Sequence, residues 1–275
     1  MTDDSLRLIS WNIGGRVKKN PDQVEALRER QPDVIALQEV RLNALNNFKK
    51  LLPDLGLRHT VESVNLAVEH DRVYGELIAS RWPVKCIPTT DEQTPYPERV
   101  LSARIDSPWG GIELHTAHVV PGSSCGWKKI DMFEGIYRRL ARESATPRIL
   151  CGDFNSPQLE TPDGRLVTWG QKIKPNGEVV VQDGYEDWDA GERGVLEGLA
   201  KYDLADVFRR INGYEVDAFS WRMKRKGKVV AERRFDHIFA SSDLNPVECR
   251  YIYDPLDHGL SDHAAMEAFF APVMK

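Results

Sequence analysis

A carboxylate and a carboxamide stand two residues apart near the middle of the chain, directly after a short apolar run. The run is Ile149–Cys151, and after Gly152 come Asp153 and Asn155. Side chains two residues apart on an extended segment point to one face, so both would face the same site. Asp, Asn, Ser and Pro also favour turns, so a strand followed by an Asx-type turn explains the same stretch without any chemistry. The rest of the chain must decide between these interpretations.

Several other strand-like runs end on, or are flanked by, polar side chains that an apolar core disfavours. These residues are Asn12, Gln38, Glu39, His118, Asp236, Asp262 and His263. Each one alone is compatible with a cap, a turn or a satisfied core side chain. Together with Asp153 and Asn155 they form a set of carboxylates, carboxamides and histidines. That set is what metal-dependent cleavage of a phosphoester requires.

The chemistry explains why these residue types belong together. Mg²⁺ prefers oxygen ligands and keeps several waters, so one or two carboxylates are sufficient protein ligands. Cleavage also needs an oriented water and donors for the charge on the phosphate oxygens, and a His–Asp couple supplies a donor in one tautomer. Zinc is less favoured, because the few histidines lack ligand spacing, and no Gly-x-Ser-x-Gly elbow indicates a serine hydrolase. We therefore expect Mg²⁺, with Mn²⁺ as a substitute.

The elements that must position these groups alternate between strand and helix. Strands are predicted at Leu6–Ile13, Val34–Leu37, Tyr74–Ser80, Val84–Pro88, Val100–Ile105, Gly111–His118, Ile149–Cys151, Phe219–Met223, Val229–Ala240, Cys249–Tyr253 and Ala264–Phe270, and helices at Pro21–Arg30, Asn43–Leu52 and Lys129–Glu143. The polar, glycine-rich segment Gln158–Ala200 is interpreted as an excursion with a small strand at Val179–Val181. Mixed strands and helices without strict alternation predict an α/β fold of two packed sheets flanked by helices. We expect one domain over residues 1–275.

The composition is that of a globular protein, with 41% hydrophobic and 29% charged residues in a chain of 275. A net charge of −5 gives no global basic signature, so nucleic-acid binding would depend on a local patch. No segment resembles a signal peptide or a membrane span, and no obligate protein partner is indicated. The four cysteines are widely spaced and are interpreted as reduced thiols, which favours a cytoplasmic location.

The chain resembles the exonuclease-endonuclease-phosphatase superfamily of metal-dependent phosphoesterases. The resemblance rests on motifs that occur in the family's order. They are Ser10-Trp11-Asn12, Leu37-Gln38-Glu39, Tyr74–Arg81, Thr116-Ala117-His118, Gly152-Asp153-Phe154-Asn155, Arg234–Ile238 and Ser261-Asp262-His263. Each motif alone is weak, but the series is specific and runs from Leu8 to about Phe270. The resemblance implies a four-layer α/β sandwich with the site at one edge of its two central sheets.

The resemblance also implies a role for each matched residue. Glu39 is expected to be the main Mg²⁺ ligand, with Asn12 beside it and Asp262 as a further ligand. Asp153 is expected to orient or deprotonate the attacking water, and Asn155 to donate a hydrogen bond on the phosphate side.

The histidines take the remaining roles implied by the resemblance. His263 is expected to donate to the scissile phosphate and to be held by Asp236, while His118 matches the histidine of the DNase I, deadenylase and sphingomyelinase branches. His115 is a competing candidate for the latter position, although Thr116-Ala117-His118 fits the motif better. AP endonucleases carry an asparagine and a nearby tyrosine in this region. The sequence from 118 to 121 departs from that pattern, which argues against activity on abasic sites.

A basic stretch just before Asp236 bears on the substrate. Its pattern predicts a hairpin around Gly227 that carries Lys224, Arg225 and Lys226. Such a density of cations suits a phosphate backbone, although lysines on an edge hairpin also prevent aggregation. Trp127 and Trp221 could stack on bases, although a place in the core or at the rim explains each equally well. We therefore expect a nuclease that acts on DNA or RNA by in-line attack of water. The alternatives are an enzyme for a small or lipid phosphoester of the sphingomyelinase or inositol-phosphate type, and a non-enzymatic binding protein.

Overall fold

The computed structural model describes residues 5–66, 74–88 and 94–271. Its strands are β1 (Leu6–Asn12), β2 (Val34–Arg41), β3 (His59–Glu62), β4 (Tyr74–Ser80), β5 (Val84–Cys86), β6 (Val100–Ser107), β7 (Gly110–His118), β8 (Arg148–Asp153), β9 (Leu159–Glu160), β10 (Leu166–Val167), β11 (Gln171–Ile173), β12 (Val179–Val181), β13 (Ala205–Asp206), β14 (Trp221–Arg225), β15 (Lys228–Arg233), β16 (Asp236–Ala240), β17 (Pro246–Ile252) and β18 (Ala265–Phe270). Its α-helices are α1 (Asn20–Arg28), α2 (Leu42–Leu51), α3 (Gly122–Cys125), α4 (Lys128–Leu140), α5 (Glu186–Leu196), α6 (Val207–Asn212) and α7 (Asp254–Asp257).

Two six-stranded sheets form the centre of the protein. The first has the order β17-β18-β1-β2-β4-β3 and the second β13-β16-β8-β7-β6-β5. Each sheet has one parallel pair near its middle, β1 with β2 and β7 with β8, whereas the other neighbouring strands are antiparallel. Both sheets are therefore mixed.

Apolar side chains hold the sheets and helices together in layers. Leu6 and Leu8 of β1 and Ile149 and Cys151 of β8 lie in a core shared by the two sheets, because alternate strand residues face the same side. The outer face of the first sheet packs against α1 and α2, and that of the second sheet packs against α4 and α5. The predicted four-layer α/β sandwich is confirmed. Among the described helices, none has the length and apolar character needed to cross a membrane.

The two parallel pairs bring polar strand ends to one edge of the sandwich. Asn12 ends β1 and lies beside Gln38 of β2, and His118 ends β7 beside Asp153, the last residue of β8. Strand β16 runs antiparallel to β8, so its first residue, Asp236, lies opposite Asp153. Strand direction alone therefore collects most of the polar residues that the sequence singles out.

The segment Gln158–Ala200 has more regular structure than the sequence predicts. It contains two short hairpins, β9–β10 and β11–β12, together with the helix α5, and the small strand predicted at Val179–Val181 is present. Although the sequence of α5 is acidic, one face of the helix is buried and includes Trp188, Val195 and Leu196. Because this face packs in the same cluster as α4, α5 belongs to the outer helical layer, and the interpretation of the whole segment as an excursion is wrong for this helix.

The predicted strand Val229–Ala240 is in fact two strands in different sheets. β15 pairs with β14 in a separate hairpin, whereas β16 joins the second sheet. Between them, the buried Arg234 forms ion pairs with Glu160 at 2.5 Å and Asp206 at 2.7 Å. The charged run Glu232-Arg233-Arg234 interrupts the apolar residues at this point, and the prediction of a single strand overlooked it. That residues 1–275 form a single domain stays a prediction.

The close contact between β7 and β8 depends on a glycine, and this gives a test of the fold. Gly152 has a φ of 134°, and a Cβ added there would lie 2.0 Å from the carbonyl oxygen of Ala117. We predict that Gly152→Ala lowers the free energy of unfolding by about 3 kcal/mol or more, because backbone strain and overpacking add. Urea unfolding measures this loss.

A glycine in α4 provides the control for that experiment. A Cβ at Gly135 meets no atom closer than 3.7 Å, so Gly135→Ala should leave the stability unchanged or raise it by up to about 1 kcal/mol. Unfolding midpoints that are equal for the two variants would contradict the account of the β7–β8 contact.

Candidate active site

The side chain of Asn12 joins the two sheets at their polar edge. Its Nδ2 donates to Glu39 Oε1 at 3.2 Å and to Asp153 Oδ2 at 2.9 Å. Its Oδ1 accepts a hydrogen bond from the backbone N–H of Gly14 at 2.9 Å. Because one carboxylate belongs to each sheet, this amide fixes how far apart the two carboxylates lie.

Glu39 reaches Asn12 through a bulge in β2. The register between β2 and β4 shifts between Leu37 and Val40, and Glu39 has a φ of 56°. Leu37 packs toward α1 and α2, and a regular strand would send Glu39 to that same face. A bulge re-aims a side chain, and here it turns Glu39 to the polar edge. Burial raises the pKa of Glu39, while the hydrogen bond from Asn12 opposes the rise.

Asp153 lies on the inner face of β8, in line with Ile149 and Cys151. It is almost fully buried, with 1% of its surface exposed. Burial, together with repulsion from Asp236, raises the pKa of Asp153 to about 7, although attraction to His263 opposes the rise. This carboxyl therefore changes its protonation near neutral pH, unlike an ordinary aspartate.

A turn, and not strand alternation, brings Asn155 close to Asp153. Strand β8 ends at Asp153, and Asn155 has a left-handed φ of 49°. Its backbone N–H donates to Asp153 Oδ1 at 2.8 Å, and its Nδ2 donates to the carbonyl oxygen of Val119 at 2.9 Å. The Asx-turn interpretation therefore describes the backbone correctly. The expectation that alternation aligns the two side chains is wrong, because the strand has ended, but the two residues do lie together.

His263 and Asp236 form a buried couple. His263 Nδ1 lies 2.7 Å from Asp236 Oδ2, and its Nε2 lies 3.7 Å from Asp153 Oδ2. Burial alone would lower the pKa of His263, but attraction to Asp236 and then to Asp153 raises it to about 10. The ring is therefore protonated at neutral pH and carries an N–H on both nitrogens. The indole N–H of Trp11 donates to the backbone oxygen of His263 at 3.1 Å and helps to fix its position.

His118 is a neutral histidine beside the same carboxylates. Arg99 NH1 lies 2.8 Å from its Nδ1, so Nδ1 is the acceptor and Nε2 carries the proton. Nε2 lies 3.5 Å from Glu39 Oε1 and 3.8 Å from Asp153 Oδ2. Burial, followed by the charges of Arg99 and His263, holds the pKa of His118 well below its usual value.

Two of the sequence candidates lie apart from this cluster. Asp262 is half exposed at its rim, 3.5 Å from Arg16 NH2, and its charge adds to the effect of burial in raising the pKa of Glu39. His115 turns to the other side of β7, where its Nδ1 lies 2.7 Å from Ser102 Oγ. Of the two histidines, His118 is therefore the one that lies at the polar edge with Glu39 and Asp153.

The residues expected to bind substrate lie outside the cluster. Lys224, Arg225 and Lys226 are exposed on the β14–β15 hairpin, which turns at Lys226 and Gly227 with φ values of 50° and 77°. The predicted hairpin around Gly227 is therefore confirmed. Its first residue, Trp221, forms an isolated β-bridge with His263, so the hairpin begins beside the buried couple.

Trp127 is exposed at the start of α4. Its ring centroid lies 5.8 Å from that of Tyr185 and 5.1 Å from that of Trp188. Tyr185 is also exposed, whereas Trp188 is buried. Neither aromatic neighbour of Trp127 was expected from the sequence, because both belong to the segment interpreted as an excursion.

Three charged residues close to the site were not expected from the sequence, namely Arg99, Lys129 and Glu192. Lys129 is 1% exposed and Glu192 is fully buried, and the two form an ion pair at 2.7 Å. Lys129 lies one helical turn before Phe133 on the apolar stripe of α4. A lysine at that position is the signal that could have identified it.

Comparison with known proteins places the chain among phosphoesterases. Residues 9–263 match the model of the Endonuclease/Exonuclease/phosphatase family. Exodeoxyribonuclease III of Haemophilus influenzae is 26% identical over 255 residues, which are 87% of this chain and 89% of the relative.

Solved structures share the fold. An AP endonuclease from Archaeoglobus fulgidus superposes with a TM-score of 0.71 at 20% identity, over 96% of this chain and 99% of that chain. TDP2 of D. rerio, complexed with a single-strand DNA product, superposes with a TM-score of 0.68 at 18% identity, over 98% and 99% of the two chains. Together with the family match over almost the whole sequence, the fold leads to one conclusion. The chain belongs to the endonuclease/exonuclease/phosphatase family, and it is an enzyme that hydrolyses phosphoester bonds.

Proposed function

We propose that this protein is a Mg²⁺-dependent nuclease that hydrolyses phosphodiester bonds of DNA or RNA by in-line attack of water. The observation that carries the proposal is the arrangement around Asp153, whose carboxylate lies between the Asn12–Glu39 pair and the protonated His263. A water and a phosphate that enter this site would meet an acceptor on one side and a charged donor on the other. The exodeoxyribonuclease similar to this chain supports nucleic acid as the substrate.

The donor atoms fit Mg²⁺, which prefers oxygen ligands. Glu39 is the proposed main ligand, and Asp262, which acts electrostatically on Glu39, is the proposed second carboxylate. Asn12 holds Glu39 and Asp153 through its nitrogen and would offer its oxygen only if the amide turned over. When bound, the ion supplies positive charge for the phosphate oxygens and the leaving oxygen.

A second group of atoms near the site is a poorer fit for a cation. Ligand atoms of Asp153, Asp236 and His263 lie within 4.8 Å of one another. However, His263 Nδ1 is already hydrogen bonded to Asp236, and the raised pKa keeps the ring protonated. A protonated imidazole has no lone pair for a metal. We therefore assign the ion to the Glu39 side of Asp153.

The chain's own residues divide the remaining tasks. Asp153 orients the attacking water and accepts its proton, and a pKa near 7 suits a base at neutral pH. His263, aligned by Asp236, donates from Nε2 to a phosphate oxygen as negative charge develops there. His118 donates as a neutral ring, and Asn155 supports the phosphate side of the site.

Features around the site support a polyanionic substrate. The cations of the β14–β15 hairpin are exposed, and they lie on the hairpin whose first residue, Trp221, pairs with His263. The exposed rings of Trp127 and Tyr185 offer stacking surfaces for bases on another part of the rim. We place the protein in the cytoplasm, a proposal supported by its four free thiols.

The metal assignment predicts the effect of one substitution. Glu39→Gln removes the charge that binds the ion and should lower kcat by at least about 100-fold, and excess EDTA should abolish the wild-type activity. Cleavage of an end-labelled oligonucleotide in Mg²⁺ measures both effects. Glu25→Gln on the exposed face of α1 is the control and should behave as wild type. Normal activity of Glu39→Gln, or full activity in EDTA, would show that the metal assignment is wrong.

The His263–Asp236 couple predicts non-additive losses. Because Asp236 acts by holding and charging His263, removing either residue should already abolish the donor. We expect each single alanine variant to lose roughly 100- to 10,000-fold in kcat, and the double variant to lose little more than the worse single one. Steady-state kinetics of the three variants measure the coupling. A double variant whose loss equals the product of the two single losses would contradict it.

The hairpin distinguishes a nuclease from an enzyme for small phosphoesters. Each neutralised phosphate releases condensed counterions, so log K should fall with log[salt] by ~0.7–0.9 per contact. Replacing Lys224, Arg225, Lys226 and Lys228 by Ser or Gln should flatten this slope by roughly two to three units and change kcat little. Binding of a fluorescent oligonucleotide over a range of salt concentrations measures the slope.

The control for the hairpin variant removes the same number of exposed cations elsewhere. Lys49, Lys50, Lys85 and Lys201 are exposed on α2, on β5 and after α5, and replacing them should leave the slope as in the wild type. If the hairpin variant also keeps the wild-type slope on DNA and RNA, the hairpin does not bind nucleic acid. A small or lipid phosphoester would then be the better substrate.

A further inference from the structure

We propose that the buried ion pair of Lys129 and Glu192, together with Trp169, forms a clamp that positions the catalytic turn at Asn155 and Ser156. The clamp touches neither substrate nor ion in this account, and it acts through the backbone that follows Asp153. The inference rests on the roles proposed above for Asp153 and Asn155.

All three N–H groups of the Lys129 ammonium are committed to this clamp. Lys129 Nζ donates to the backbone oxygen of Asn155 at 3.0 Å, to Ser156 Oγ at 2.8 Å and to Glu192 Oε1 at 2.7 Å. An ammonium has three donors, so its hydrogen bonding is complete without water. Two of the three bonds go directly to the turn.

Glu192 closes the clamp from the neighbouring helix α5. Its Oε1 accepts from Ser156 Oγ at 2.7 Å and from the indole N–H of Trp188 at 3.1 Å. Its Oε2 accepts from the backbone N–H of Trp169 at 2.8 Å. The indole N–H of Trp169 in turn donates to the backbone oxygen of Asn155 at 3.0 Å. The carbonyl of Asn155 therefore has two donors, which fix the plane of the peptide that follows it.

The turn needs such support, because its backbone is strained. Asn155 has a φ of 49°, a conformation that costs free energy for a residue with a side chain and persists only when its surroundings impose it. That conformation lets the N–H of Asn155 reach Asp153 Oδ1 at 2.8 Å. If the turn relaxed, this hydrogen bond would be lost and the carboxylate of Asp153 would be free to rotate away from the water it orients.

Stability alone does not account for the choice of these residues. A buried ion pair is often no more stabilising than apolar side chains of similar volume, and Lys129 occupies a position on the apolar stripe of α4. What charged groups provide here, and apolar groups cannot, is directed hydrogen bonds to one carbonyl and one hydroxyl. Both acceptors belong to the turn that follows Asp153. The arrangement therefore points to positioning.

The test removes the charges of the clamp while keeping its volume. In Lys129→Met/Glu192→Gln we expect kcat for thymidine 5′-monophosphate p-nitrophenyl ester, at saturating Mg²⁺, to fall about 10- to 100-fold, because small displacements of catalytic groups are costly. KM should stay within about two-fold of wild type. When Asn155→Ala is already present, the same pair of substitutions should lower kcat by less than about two-fold further, since the turn is already impaired.

A second readout needs neither metal nor substrate. In the metal-free protein, the backbone N–H of Asn155 should exchange with solvent at least about ten-fold faster in the double variant, because its bond to Asp153 opens more often. Trp169→Phe, which removes only one hydrogen bond to Asn155, should give a smaller change in the same direction. This variant decides the question if the double variant does not fold.

The control changes an exposed ion pair on the same helix. Glu134→Gln/Arg138→Met removes a pair at 3.3 Å on the outer surface of α4 and should leave both readouts as in wild type. The clamp inference is wrong if Asn155→Ala lowers kcat but the clamp variants do not. It is also wrong if the combined variant loses kcat by the product of the Asn155→Ala loss and the Lys129→Met/Glu192→Gln loss. If Asn155→Ala itself keeps full activity, the role proposed for Asn155 is wrong and the inference is wrong with it.

Discussion

The hydrogen bonds of the Asn12 amide are the interaction on which the site depends, because they join the two sheets where both carry carboxylates. Nδ2 donates to Glu39 from the first sheet and to Asp153 from the second. The parallel pairs β1–β2 and β7–β8 deliver these residues to the same edge, the bulge turns Glu39 inward, and the Asx turn holds the other oxygen of Asp153. The bulge thus positions Glu39, the turn positions Asp153, and the Asn12 amide fixes the distance between the two carboxylates.

The electrostatics of the site follow from this crowding. Burial and the neighbouring Asp236 raise the pKa of Asp153 to about 7, although His263 and the hydrogen bond from Asn12 oppose the rise. Asp236 and Asp153 in turn raise the pKa of His263 to about 10 and keep it charged. His118 faces Arg99 and stays neutral. The two histidines thus have opposite charge states, which gives the site one cationic donor and one neutral donor.

The sequence predicts the parts of this arrangement that depend on local pattern. Polar residues at the ends of apolar runs, such as Asn12, Asp153 and His118, mark the edge of the sheets, because strand direction alone collects them. The hairpin around Gly227 is likewise a local signal, since its turn needs two residues with positive φ.

Features that depend on distant contacts are not predictable from local pattern. Nothing in Leu37-Gln38-Glu39 indicates a bulge, which results from pairing with β4. Glu192 lies in a polar segment with no apolar stripe strong enough to reveal α5, and its importance becomes visible only beside Lys129 and Ser156. The burial of Arg234 is similar, because its partners Glu160 and Asp206 come from distant parts of the chain.

The central claim is that the catalytic cation binds at Glu39 and not among Asp153, Asp236 and His263. Anomalous diffraction from crystals soaked in Mn²⁺ tests it most directly, because the ion itself is located. The account predicts a peak about 2 Å from a carboxylate oxygen of Glu39, with the His263 Nδ1 bond to Asp236 still intact. A peak bound by His263 together with Asp153 and Asp236, and none at Glu39, would contradict it.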